Sequence, residues 1–205
     1  MTNGGTLPGD DRPATAARAK RAARARAVAA RDALAHADRA RLSARICARA
    51  AALPELVSAS TVMLFASFRS EVDTGPLIGA CLARGSAVAL PRIAGPRLLE
   101  AHLVSDPSSD LVPGTWAIPE PRPDLPAVDP ARIDAIVVPG AAFSARGARC
   151  GYGGGFYDAF LARLADGTPR IGLAFEVQVL DEVPCETHDL AVDAVVTEER
   201  VIRTR

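Results

Sequence analysis

Four apolar residues in a row, Ala135 to Val138, sit in the run IDAIVVPG (Ile133 to Gly140), between an acid and a proline–glycine pair. A short unbroken apolar run with such punctuation reads as a buried strand. STVMLFASF (Ser60 to Phe68), SAVALPRI (Ser86 to Ile93), RLLEAHLV (Arg97 to Val104), RIGLAFE (Arg170 to Glu176) and AVDAVVTEE (Ala191 to Glu199) read as further strands. Helical patterns alternate with them. Ala16 to Leu34 is rich in Ala and Arg and lacks Pro and Gly. Asp38 is placed to cap a second helix that carries Ile46, Ala50 and Leu53 on one face and ends at Pro54. Thr74 to Arg84 spaces Leu77, Ile78 and Leu82 for one face, with Gly85 as its stop. Phe156, Phe160, Leu161 and Leu164 form a last stripe, ended near Gly167. Asp106 to Pro130 carries seven prolines and reads as an ordered surface loop. Strands alternating with helices predict an α/β domain with a mostly parallel sheet.

A chain of 205 residues suits one sizeable domain, and its 49% apolar content is ample for a core. Residues 1–15 are polar with Gly and Pro and read as a disordered leader, leaving residues 16–205 as a single domain. That leader lacks the apolar stretch of a signal peptide, and no apolar run reaches the roughly 18 residues a membrane helix needs. Net charge is zero, which argues against a general nucleic-acid or membrane binder. The charge is uneven, however: Arg12 to Arg49 holds eleven Lys or Arg against Asp32 and Asp38. Cys47, Cys81, Cys150 and Cys185 show no paired spacing, so the expectation is reduced thiols in a cytoplasmic protein without a zinc site.

The chemistry concentrates in RCGYGGGFYD, Arg149 to Asp158. It lies between the clearest strand and the last helical stripe, where an open parallel sheet places its ligands. Gly151, Gly153, Gly154 and Gly155 can let backbone N–H groups approach a phosphate closely. The following helix start adds a positive dipole end, and Arg149 adds a charge, with Arg146 a weaker candidate. Asp158 suits a metal ligand, since Mg²⁺ on nucleotide phosphates takes one or two protein carboxylates. It equally suits an acid favouring the helix dipole. The spacing is neither the Walker nor the Rossmann pattern, so local reading leaves both a phosphate cradle and a plain Gly-rich connector open.

VVPGAAFSARGARCGYGGGFYDAFLARL resembles the 5-formyltetrahydrofolate cyclo-ligase (5,10-methenyltetrahydrofolate synthetase) family. FASFRSEVDTGPLI, GTWAIPEP and LAFEVQVLDEVPCETHDLAVDAVVTE are similar to further blocks of that family, in the same order. Together they cover nearly all of the chain beyond residue 15. The resemblance implies a three-layer α/β/α fold of the NagB/RpiA/CoA transferase type. It also implies an ATP-dependent ring closure of 5-formyltetrahydrofolate to 5,10-methenyltetrahydrofolate, with Mg²⁺ as the metal. In that reaction the formyl oxygen is phosphorylated, and ADP and phosphate are released. The partners implied are small molecules only, acting on a monomer.

Carried onto this sequence, the resemblance assigns ATP to Lys20, Arg24, Arg149, Cys150, Gly151, Tyr152, Gly153, Gly154, Gly155, Phe156 and Tyr157. Arg149 and Tyr157 are its catalytic candidates. Phe68, Glu71, Asp73, Trp116, Phe156 and Tyr157 would take the folate, and Asp158 and Asp189 the metal. Each has a plainer reading. Glu71 and Asp73 suit a helix N-terminus, Trp116 a loop anchor, and Asp189 a surface acid. Lys20 and Arg24, four residues apart, share a helix face.

Three departures stand out. Ala23 fills a position that is usually a larger apolar residue, Ser144 stands where an Asp is usual, and Gly154 replaces a Lys found in some members. His36, His102 and His188 match no catalytic position, and nothing marks Cys150 as a nucleophile. Two other classes remain consistent with the pattern. One is a sugar-phosphate isomerase or acyl-transfer enzyme on a similar scaffold. The other is a nucleic-acid binder using the basic first helix, although no aromatic interleaving accompanies its charges.

Overall fold

The computed structural model describes residues 12–186 and 189–204. In chain order, α1 (Arg12–Asp32), α2 (His36–Ala51) and the one-turn α3 (Pro54–Val57) precede β1 (Thr61–Met63). Then come α4 (Gly75–Arg84), β2 (Ala87–Gly95) and β3 (Leu98–Val104). The proline-rich segment supplies α5 (Pro107–Asp110), β4 (Leu111–Pro113), β5 (Pro119–Pro121) and β6 (Ala127–Val128). The second half runs β7 (Ala135–Val138), β8 (Ala142–Ser144), β9 (Arg149–Cys150), α6 (Phe156–Leu161) and β10 (Arg170–Leu173). It ends with β11 (Val179–Leu180), β12 (Ala194–Val196) and β13 (Val201–Arg203).

Eight strands form the main sheet in the order β13-β12-β10-β7-β1-β2-β3-β6. The five from β12 to β2 are parallel, and the outer pairings are antiparallel. Successive side chains alternate between faces, as a strand requires. Val62, Ala135 and Val137 point into one cluster with Ile46 and Ala50 of α2 and Leu77 and Ile78 of α4. Met63, Ile136 and Val138 point into the other, with Phe143, Phe160 and Leu161. Both faces are therefore dry, and β7 is apolar throughout for that reason. Phe143, fully buried, has a tight seat. A Cβ on Gly140 or on Gly172 would come within 2.5 Å of its ring. Truncating such a side chain costs about 3–5 kcal/mol.

The sheet, α2 and α4 follow the sequence reading, with differences in extent. Backbone at Arg12 is already helical, inside the segment read as a leader; residues 1–11 lie outside the described residues. Asp38 sits in the first turn of α2, whereas the N-cap is Ala35. β1 is only three residues long, and the chain from Leu64 to Phe68 leaves the sheet toward the cleft. The proline-rich segment holds a β4–β5 hairpin and an edge strand. It is pinned by buried Asp110, which accepts from the Ser105 and Asp106 N–H groups at 2.8 and 2.9 Å. A small sheet, β11-β8-β9, has no sequence signature because each strand has two or three residues. α1 lies on it through Ala27 and Ala23, against Ala142 and Cys150. Ala23 thus keeps the inward place of the larger residue it replaces, on a surface of small side chains.

Candidate active site

Segments that follow β1 and β7, including Phe65, Ala66 and Pro139, open into a cleft of about 1380 Å³. The loop after β9 forms one part of its wall, and α1 lies across that loop. Arg24 donates from Nε to the Gly151 carbonyl at 2.8 Å. Lys20 pairs with Glu186 at 2.5 Å and also with Asp189. Burial alone would lower the Lys20 ammonium, but its hydrogen bonds to Asp189 and Glu186 outweigh that and raise its pKa. Arg149, 4% exposed, donates from Nη2 to Asp158 Oδ1 at 2.6 Å. The same oxygen accepts the Leu190 N–H at 3.3 Å, which brings Asp158 beside the segment carrying Asp189. α6 is only a turn and a half, so the loop's cations, rather than a helix dipole, supply its positive charge.

Phe68, Glu71 and Trp116 line the cleft where the chain leaves β1 and where the β4–β5 hairpin turns. Glu71 accepts the Phe68 N–H at 2.9 Å and pairs with the Tyr152 hydroxyl. Burial raises its carboxyl above the ordinary value. Tyr152 exposes much of its ring, but its hydroxyl is held by Arg31, whose Nη1 donates to it at 2.6 Å. Burial, reinforced by the Glu71 charge, raises the Tyr152 phenol, and the same causes raise that of Tyr157. Both are neutral O–H groups at physiological pH. Trp116, 65% exposed, meets Phe156 edge-on at 6.2 Å between centroids. Buried Glu120 supports the Trp116 turn by accepting the Thr115 N–H at 3.1 Å. Trp116 itself and Arg69, another cleft residue, hold positive φ. Such strain collects at functional sites.

Every candidate site residue drawn from the sequence lines this cleft except Asp73 and the weaker candidate Arg146. Asp73 is exposed, lies outside the cleft lining, and accepts the Gly75 N–H at 3.0 Å, a bond that organises the start of α4. Ser144 keeps a structural task in its turn, accepting the Arg146 and Ala148 N–H groups at 3.3 and 3.2 Å. All four cysteines are free, and burial raises the Cys150 thiol, consistent with a packing role. His36 and His102 lie away from the cleft, and His188 is outside the described residues. Arg31, Glu120 and Glu186 line the cleft but were absent from the sequence-derived set. Arg31 had a signal, since it lies seven residues beyond Arg24 on the same helix face. Glu120 and Glu186 had none.

A strand-end cleft that joins a cation-bound glycine loop to an aromatic, acid-bearing pocket defines an α/β enzyme of the two-substrate, phosphate-handling class. Comparison with known proteins makes the assignment specific. The model of the 5-formyltetrahydrofolate cyclo-ligase family matches residues 16–198. The 5-formyltetrahydrofolate cyclo-ligase of Escherichia coli (strain K12) is 39% identical over 155 residues, covering 72% of this chain and 83% of that protein. A probable 5-formyltetrahydrofolate cyclo-ligase of Schizosaccharomyces pombe is 30% identical over 175 residues, covering 78% and 86%. The NMR structure of Aquifex aeolicus 5,10-methenyltetrahydrofolate synthetase superposes with a TM-score of 0.80 at 33% identity, covering 91% of this chain and 93% of that one. The chain belongs to the 5-formyltetrahydrofolate cyclo-ligase family, whose reaction is an ATP-dependent ring closure.

Proposed function

We propose that this cleft closes 5-formyltetrahydrofolate to 5,10-methenyltetrahydrofolate with ATP as co-substrate. The observation that carries the reading is the continuity of the cleft. One cavity holds the glycine loop with Lys20, Arg24 and Arg149, and also the pocket of Phe68, Glu71 and Trp116. A formamide oxygen is a poor leaving group. Transfer of the γ-phosphoryl group breaks its bond to ADP and forms a bond to the formyl oxygen. The folate's tenth nitrogen then attacks the activated carbon and loses its proton, and phosphate leaves with the oxygen. The protein's contribution is positioning and charge neutralisation.

In this reading Lys20, Arg24 and the loop from Cys150 to Gly155 hold the phosphates, and Arg149 meets the charge of the group in transfer. Phe68 and Trp116 offer flat apolar surface to the pteridine, and Glu71 accepts from its amino-pyrimidine edge. Phe156 and Tyr157 join the two ends, Tyr157 as an uncharged donor. Mg²⁺ would be held by Asp158 and Asp189. Their donor set fits: two hard carboxylates on neighbouring segments of the cleft wall, as many as nucleotide-bound Mg²⁺ commonly takes. Bound there, the ion would neutralise phosphate charge. Both carboxylates are matched by Arg149 and Lys20, cations that phosphate can attract away.

No helix among the described residues is long and apolar enough to cross a membrane. The basic α1 turns Lys20 and Arg24 onto the cleft, which supports small-molecule partners over nucleic acid. A cytoplasmic monomer without membrane partners completes the reading. The test is direct: 5-formyltetrahydrofolate, ATP and Mg²⁺ are mixed with the protein, and the near-ultraviolet absorbance of the methenyl product is followed. Product should form only with all three present. Folded protein that yields none would remove the proposal.

A further inference from the structure

We infer that Arg97 is a third guanidinium of the glycine loop and binds the phosphoryl group in transfer, at the end of the loop nearer the folate. The inference rests on the ATP-dependent reading above. Alternate glycines of the loop each lie against a different arginine. A Cβ on Gly151 would sit 3.1 Å from Arg149 Nη1, and one on Gly153 would sit 3.4 Å from Arg24 Nη2. On Gly155 it would sit 2.8 Å from Arg97 Nη2 and 3.0 Å from its Nε. Each missing side chain thus leaves space that a guanidinium occupies. The three arginines come from β9, α1 and the turn between β2 and β3.

Their charges are not equally answered. Arg149 has Asp158, and Arg24 has the Gly151 carbonyl. The Arg97 guanidinium makes no hydrogen bond or ion pair with another described residue. An unmatched planar cation laid on a loop of exposed N–H groups is the arrangement that recognises a phosphate. It also supplies a charge that Gly154 does not.

The backbone gives a second, independent sign. Pro96 fixes its own φ near −65°, so the positive φ of this two-residue turn falls on Arg97, at 56°. That turn position ordinarily takes Gly or Asn, and a side chain kept there against strain points to function. Position along the loop then assigns the role. Arg24 lies against Gly153, whereas Arg149 reaches from Gly151 to Asp158 and the Tyr157 ring. Arg97 lies against Gly155, the glycine just before Phe156, so that Arg97 would act on the transferred group beside Arg149. The hairpin that carries Arg97 gives Pro91, Ile93 and Leu99 to the cleft wall, and Arg97 itself is exposed at the rim, over Gly155.

The test compares parent, Arg97→Ala, Arg97→Gln and Arg97→Lys. Turnover, KM for each substrate, direct ATP and ADP binding, and thermal midpoint are measured. Arg97→Ala and Arg97→Gln should lower kcat about 100-fold, the size expected for losing one aimed donor. They should weaken ATP about tenfold more than ADP, leave the folate KM within about threefold, and keep the parent's midpoint. Lys should recover part of the loss. Unchanged kcat together with an unchanged ATP-to-ADP affinity ratio in both variants would overturn the role and leave Arg97 as packing on Gly155. If the parent itself forms no methenyl product, the reaction assignment fails. The ratio of ATP to ADP affinity then still decides whether Arg97 binds the terminal phosphate.

Discussion

The two ends of the cleft are built on different physics. At the glycine loop, charges are paired within the protein: Arg149 with Asp158, and Lys20 with Asp189 and Glu186. At the other end the surfaces are aromatic, and the acid Glu71 is held by neutral donors with Arg31 close by. In the proposed reading the first end exchanges internal partners for a substrate, so removing one residue leaves another unmatched. The second end works by buried area, and its losses are smaller and more nearly additive.

The harshest break of that contrast is Arg149→Met. Turnover should fall about 1000-fold, and stability by about 3 kcal/mol because Asp158 loses its partner. Denaturant titration and turnover together check it, and a variant as stable as the parent would show that Asp158 needs no partner. Asp158→Asn comes next, with turnover down about 100-fold and a higher Mg²⁺ requirement. An unmoved Mg²⁺ titration would reject its metal role. Lys20→Ala should raise the ATP KM about tenfold and spare the folate KM. An effect confined to folate would contradict its placement on the nucleotide. At the aromatic end, Phe68→Ala should raise the folate KM about fivefold without touching ATP, which substrate titrations resolve.

The smallest effect concerns Glu71. Burial raises its folded-state pKa, so as pH rises the unfolded chain releases this proton first. The fold therefore loses stability from the ordinary glutamate range upward, until the folded group ionises as well. Glu71→Gln removes that loss. The thermal midpoint of the variant relative to the parent should rise between about pH 4 and pH 7. A flat difference across that range would mean that the carboxylate is fully compensated in the fold.

Much of this molecule was legible because its signals are periodic or contiguous. The run from Ala135 to Val138 could only be a strand dry on both faces, and Leu77, Ile78 and Gly85 fixed α4 and its end. The glycine loop announced itself because its ligand groups are neighbours in sequence. Short-range context is ambiguous at Asp73, where an acid near a ligand segment and an acid opening a helix look alike, and the structure places it at the helix start. Strands of two or three residues carry no period, so β8, β9 and β11 were invisible. Glu120 and Glu186 reach the cleft only through tertiary packing. Arg97 lies almost 60 residues before the glycine it touches, and its turn reads locally as an ordinary hairpin corner.

The prolines of the middle segment also decide what the sheet can join. Its outermost ladder on that side is β6, two residues long, set between Pro126 and Pro130. Proline has no N–H to offer an incoming strand, and two residues give little to template on. An eight-stranded sheet with a largely apolar interior would otherwise present an open edge to every other copy of itself. Here the chain covers part of that edge, beside Ala101 and His102 of β3, with residues that read in sequence as loop.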